Sequence, residues 1–201
     1  REKRKKTLAT EFGNMLSFGE RRGIAIVSMV ALILPLAGYI VFSVFPIYLE
    51  GLDIPWDSTM VAGIFTALSA ITGIFASGLA GRACDKHGRK WVLVGSGIAY
   101  VLVWGFMGMT VQPVLIAVLW AVPVWSFFTV SAITMVADMT KPAERGRGIG
   151  LVNSAINLGG ATGSILAGYL LSREMVDNIF FLAAAVAMVG MVVAVFARET
   201  L

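Results

Sequence analysis

This 201-residue chain has one cysteine, one histidine and few charges: only 14% of its residues are Asp, Glu, Lys or Arg, against 58% hydrophobic ones. Each scarcity excludes something. A single Cys84 allows no internal disulfide and no cysteine-type zinc site. The sole histidine, His87, stands between Lys86 and Gly88 with no nucleophile at a fixed spacing, and no HExxH or paired-carboxylate motif occurs, which argues against an intramembrane enzyme. Soluble domains carry roughly 25% charged residues. With a mean hydropathy of +0.84, the chain has more apolar surface than a globule of this size can hide, so its natural solvent is the bilayer.

Six stretches are apolar enough to cross it: 23–49, 59–80, 91–109, 114–137, 150–171 and 179–197, none containing Asp, Glu, Lys, Arg or His. A spanning helix needs about 20 such residues. Only Thr110 to Pro113 separates the third span from the fourth. The expected organisation is a polar, basic segment over 1–22, with a short surface helix opening near Ser17, followed by a six-helix transmembrane domain over 23–201. No cleavable signal peptide is evident, and a first residue of Arg rather than Met reads as a fragment or an excised domain.

The net charge of +4 is a matter of topology. If successive connections alternate sides, fifteen of the sixteen Lys and Arg residues fall on one side and only Arg173 on the other. By the positive-inside rule the basic side is cytoplasmic, and six crossings return both termini to it. No basic face with interleaved aromatics appears, so nucleic acid is not an expected partner. Anionic lipids at the cytoplasmic face are.

Breaks and small residues pattern the spans. Pro35 and Gly38 interrupt the first, Pro46 lies near its end, and Pro123 interrupts the fourth. Such breaks are tolerated in membranes where neighbours satisfy the freed backbone groups, as static kinks or in mobile, cavity-lining helices. Gly73, Ser77 and Gly81 stack four apart on the second span, as do Gly159, Gly163 and Ala167 on the fifth, beside Gly160, Ser164 and Gly168. These stripes are expected to press against neighbouring helices. The run Ser69-Ala70-Ile71 to Leu79-Ala80-Gly81 recurs 85 to 87 residues later as Ser154-Ala155-Ile156 to Leu166-Ala167-Gly168. The two runs hold the second and fifth spans, the matching members of two three-helix units that an odd number of spans makes inverted in the membrane.

Between the second and third spans lies Gly81-Arg82-Ala83-Cys84-Asp85-Lys86-His87-Gly88-Arg89-Lys90, which fits G-x-x-x-D-[RK]-x-G-[RK]-[RK] without a mismatch. Gly81 leaves room for another helix. Asp85 offers a carboxylate to a helix N-terminus or an arginine. Gly88 allows the positive φ of a tight turn, and Lys86, Arg89 and Lys90 suit an anionic leaflet. Here the chain resembles the major facilitator superfamily of secondary transporters, which carries this pattern between the second and third helices of a six-helix half. A second stretch, Asp138 to Arg147, is similar to that family's loop of the form D-x-x-P-x-x-x-R-G-x, with Pro142 one place late. The fifth span resembles the antiporter pattern G-x8-G-x3-G-P-x2-G-G at Gly150, Gly159, Gly163 and Gly168, with Ser164 and Ala167 replacing a proline and a glycine.

The resemblance implies an all-α membrane protein, one six-transmembrane-helix half of a bundle built from two inverted three-helix repeats. The basic start Arg1 to Lys6 is similar to the linker that precedes a C-terminal half. The implied partners are the other six-helix half and a small-molecule substrate, with no cofactor and no metal. The implied function is secondary transport by alternating access, extending to efflux by proton antiport; a six-helix channel or scaffold is the alternative. Gly81, Asp85, Lys86, Gly88, Arg89, Lys90, Asp138 and Arg145 would form a conformational latch between halves. By the same resemblance the first, second, fourth and fifth spans face the cavity and the third and sixth lie outside. Candidate cavity residues are Tyr39 and Ser43, four apart on the first span, Ser126 on the aromatic fourth, and Asn153 and Asn157 on the fifth, where the Asn pair serves either as interhelical glue or as a cavity group. No span holds an ionisable group, so a coupling proton would titrate in the other half, or the protein is a facilitator.

Overall fold

The computed structural model describes residues 22–52, 54–142, 144–173 and 178–197. The basic segment over 1–21 and the chain end over 198–201 lie outside the described residues. The rest is helical: α1 (Arg22–Glu50), α2 (Ser58–His87), α3 (Arg89–Gly108), α4 (Pro113–Trp120), α5 (Val124–Met139), α6 (Arg145–Leu171) and α7 (Ile179–Val195). With α4 and α5 counted as the single stretch Pro113–Met139, five stretches are long and apolar enough to cross a membrane; α7 is shorter, at 17 residues.

Two boundaries differ from the sequence expectation. The stretch from Gly81 is not a loop, because α2 runs through it to His87 and α3 starts at Arg89. Nothing from Arg82 to His87 breaks a helix, and Lys86 and His87 suit the negative end of the helix dipole. The whole turn is Gly88, at φ 90° and ψ 141°, with its N–H donating to the Cys84 carbonyl at 3.1 Å. The fourth span is two helices rather than one. Pro123 lacks an N–H and pushes Val122 out of the helical region, so α4 ends at Trp120 and α5 begins at Val124. The Thr72 hydroxyl on α2 donates to the Ala121 carbonyl at 2.8 Å and satisfies part of the break. By contrast, α1 continues through both Pro35 and Pro46.

Helix pairing follows an inverted repeat. Span 1 packs on spans 5 and 6, and span 4 packs in the same way on spans 2 and 3, while span 3 meets span 6. Exchanging 1 with 4, 2 with 5 and 3 with 6 preserves this set. The core is centred on α1, where Val27, Val30, Ala31, Leu34 and Ala37 are fully buried. In lipid such packing depends on close contact. At Gly159 a Cβ would collide with the Leu32 carbonyl of α1, and at Gly163 it would fall 2.5 Å from the Leu36 carbonyl oxygen. Gly97 of α3 is pressed in the same way onto Met191 of α7.

The second span's stripe behaves differently. A Cβ on Gly73 would meet Ser126 Oγ at 3.1 Å, but at Gly78 and Gly81 it would enter open space. The expectation that the whole stripe is pressed against neighbours therefore holds only for Gly73; beyond it the buried side of α2 is the adjacent row Ala76, Ala80 and Cys84.

Candidate functional site

Two groups of candidate residues form, at different levels of the bundle. The first lies at the end where α2, α3, α5 and α6 terminate or begin. Arg89, at the start of α3, makes an ion pair with Asp138, in the last turn of α5; both side chains are partly buried. Arg145, at the start of α6, donates its Nε–H to the Ala137 carbonyl at 3.1 Å, at the α5 terminus, where the Thr140 hydroxyl also donates to it at 3.2 Å. Gly148 lets α6 close on α5, since a Cβ there would lie 2.6 Å from Thr140 Cγ2. Sequence reasoning did not single out Gly148 or Thr140; the spacing Gly146, Gly148, Gly150 was the available signal.

The eight latch candidates thus divide. Arg89, Asp138 and Arg145 work inside this half, tying the two charged turns together. Asp85, Lys86 and His87 are exposed on the last turn of α2, Gly88 is buried in the turn, and Lys90 lies 5.5 Å from the ring of its neighbour Trp91. Gly81 sits one turn before Asp85 on the same helix, with open space in front of it.

The second group surrounds a cavity of about 510 Å³ among α1, α2, α3 and the α4–α5 break, within the usual range for small-molecule sites. Tyr39 and Ser126 line it, and so do Gly38 and Pro123, at the interruptions of the first and fourth spans. Its floor is aromatic and buried: Tyr100 and Trp104 come from α3, and Trp120 ends α4. The Trp120 ring stacks on Phe45 at 3.7 Å between centroids and lies 6.0 Å from that of Trp104. Trp104 Nε1 is buried without a hydrogen-bond partner. The third span therefore contributes to this recess, which lies within the half.

Ser43, Asn153 and Asn157 do not line it. Ser43 donates to Ser164 Oγ at 3.0 Å and joins α1 to α6. Both asparagines sit exposed on α6, since the small-residue stripe of that helix, one quarter-turn away, is the side that packs on α1. Of the five cavity candidates, two are brought together. The α3 aromatics were missed because an apolar span read without its neighbours does not reveal which side is covered by lipid.

With this geometry in place, similarity to known proteins is informative. The family model of the Major Facilitator Superfamily matches residues 15–200. Among curated relatives, the chain is 24% identical over 144 residues to the multi-drug resistance efflux pump PmrA of Streptococcus pneumoniae serotype 4, a match covering 68% of this chain and 35% of the pump. It is 29% identical over 142 residues to multidrug resistance protein 1 of Bacillus subtilis strain 168, covering 69% of this chain and 36% of that protein. The match thus spans about a third of the length of these relatives. Among solved structures, that of the human organic anion transporter MFSD10 (TETRAN) superimposes with a TM-score of 0.76 at 20% identity, over 90% of this chain and 48% of that one. A half-sized, all-helical bundle with inverted pairing and the Gly81–Lys90 turn fits these matches, and the chain belongs to the Major Facilitator Superfamily.

Proposed function

We propose that this chain is one six-helix half of a secondary transporter that moves a small solute across the membrane by alternating access, in the direction of efflux. The observation that carries this reading is the division of charge at one end of the bundle. Arg89 and Asp138 pair inside the half, which ties the two charged turns into one plate. Asp85 and Gly81 face outward from that plate. A carboxylate on the last turn of α2, above a small residue that admits a neighbouring helix, is built to meet a helix N-terminus or an arginine of a second half. Making and breaking that contact biases the two halves between two arrangements. The basic residues of the same end support an inner-side position by the positive-inside rule. The named multidrug pumps support efflux as the direction, and interruptions at matching places in spans 1 and 4 support a site near the midplane.

The test is transport by the intact transporter carrying Asp85→Asn, which keeps shape and removes charge. Transport is expected to fall at least tenfold while the amount of folded protein and the Arg89–Asp138 pairing stay unchanged. Undiminished transport would refute the latch.

A further inference from the structure

We infer that α4 is a tilting strut within span 4, held at the break by a catch, the hydroxyl of Thr72, and carrying Trp120 as the part of the recess wall that it moves. That the motion serves transport rests on the reading above; that it occurs does not.

The joint between span 4 and α2 is built unlike its mate in the second repeat. There Gly159 of α6, 86 residues after Gly73, lies so close to the Leu32 carbonyl of α1 that a Cβ would collide with it, and α1 runs on through Pro35. Such a backbone contact cannot loosen unless the helices part. Here hydroxyls stand between the backbones. Thr72 donates to the Ala121 carbonyl at 2.8 Å, and Ser126 donates in the opposite direction to the Gly73 carbonyl at 3.1 Å, so adjacent residues of α2 hold the break from both sides. Leu158, the counterpart of Thr72, has no hydroxyl to offer.

The Thr72 bond is also one that can be given up. A threonine hydroxyl has a single proton, and Thr72 Oγ1 lies 2.9 Å from the Ser69 carbonyl of its own helix as well as 2.8 Å from that of Ala121. When the proton turns to Ser69 the hydroxyl stays satisfied and only the Ala121 carbonyl is released; hydrogen bonds between helices in lipid are weak enough for such an exchange. The backbone at the release point is already non-helical. Pro123, at φ −82° and ψ 50°, is the centre of an inverse γ-turn closed by the Val124 N–H on the Val122 carbonyl at 2.8 Å. The two sides of the break are unequally anchored. α5 buries seven of its sixteen residues, from Val124 to Val136, whereas α4 buries only Ile116 and Trp120 and leaves Val114, Leu115 and Val118 exposed. Met109 to Gln112 tie the far end of α4 to α3, so release of the catch frees the near end to shift, and with it Trp120 along the Phe45 ring on which it stacks at 3.7 Å.

The experiment measures distances between pairs of spin labels by electron paramagnetic resonance in the intact transporter in nanodiscs, on a Cys84→Ser background and without any gradient. One pair is Val118→Cys on α4 with Val189→Cys on α7; the other is Trp125→Cys on α5 with Val189→Cys, all three positions being exposed. The first pair is expected to show two distances and the second pair one. Thr72→Val keeps the shape of the side chain and removes the hydroxyl. It is expected to raise the ratio of the second distance to the first about fivefold in the Val118 pair, which at 1.4 kcal/mol per decade is about 1 kcal/mol, and to leave the Trp125 pair unchanged. Thr72→Ser, which keeps the hydroxyl, is expected to restore the original ratio. Pro123→Ala returns an N–H to the break and is expected to join α4 to α5 and lower that ratio about threefold; it tests the joint should Thr72→Val fold poorly. A single distance for the Val118 pair in every variant, equal changes in both pairs, Thr72→Ser behaving like Thr72→Val, or no effect of Pro123→Ala would overturn the inference. Both labels of each pair lie in this half, so rocking against a second half does not enter the result. A failure here leaves the Asp85 latch untouched, and loss of the latch leaves this result untouched.

Discussion

The second and fifth spans carry the same small-residue pattern at matching places in the two repeats, yet they use it differently. On α6, Gly159 and Gly163 lie against the carbonyls of Leu32 and Leu36, so the pattern is consumed inside the half. Of the glycines on α2 only Gly73 meets a neighbour, and Gly78 and Gly81 face open space directly below the exposed Asp85. One pattern therefore makes a permanent helix contact, and its mate supplies a smooth surface next to a charge. The lesson is that a glycine stripe identifies a surface capable of close approach and leaves open whether anything has yet approached it.

The comparison can be broken most sharply with a single methyl group. Gly159→Ala places a carbon against a backbone carbonyl that cannot turn away, so α1 and α6 must part; the expected cost is about 3 kcal/mol, at the upper end of overpacking, seen as a lower unfolding midpoint and reduced folded yield. Gly81→Ala adds the same atom in open space and gains helix propensity, so the unfolding midpoint should hold or rise. Equal destabilisation by the two would erase the distinction.

Next in size is Gly88→Val. The turn holds φ at 90°, a region that β-branched side chains essentially avoid, and the strain is expected to cost about 2 kcal/mol. Measured by chemical denaturation, it should exceed the effect of Gly95→Val, which lies mid-helix on α3 with open space around it.

The smallest effect concerns the matched interruptions. Only the fourth span's interruption divides a helix, and only it receives the Thr72 hydroxyl. Thr72→Val should cost about 1 kcal/mol, the size of one interhelical hydrogen bond in lipid, and should increase hydrogen exchange around Ala121 to Val124 without altering that around Pro35.

Much of this was legible in the sequence. Apolar runs of 19 residues or more separated by charged or proline-containing turns revealed the helices, and the Gly81–Lys90 motif pointed to the family, because turn chemistry is local and so is readable from spacing. The extension of α2 to His87 was missed because a charged stretch at a membrane boundary looks like a loop whether or not its backbone is helical. The division of the fourth span was half legible, since Pro123 was noticed while Pro35 has the same signature and leaves α1 continuous. What separates them is the packing around them, α1 being held on several sides. The cavity was least legible. Tyr39 and Ser126 were found as polar groups at membrane depth, but Tyr100 and Trp104 joined this recess only through the placement of α3, and Asn153 and Asn157 lie outside it because glycine, not asparagine, decided which side of α6 packs on α1.

The central claim, that this half opens its recess to each side of the membrane in turn, is tested most directly by thiol labelling. With Ser69→Cys on a Cys84→Ser background in the intact transporter, a membrane-impermeant maleimide is applied to right-side-out and inside-out vesicles. The account predicts labelling from both sides, and a shift of labelling toward the basic side when Asp85→Asn is added, because the latch that closes that side is lost. Labelling from one side only, unaltered by Asp85→Asn, would contradict it.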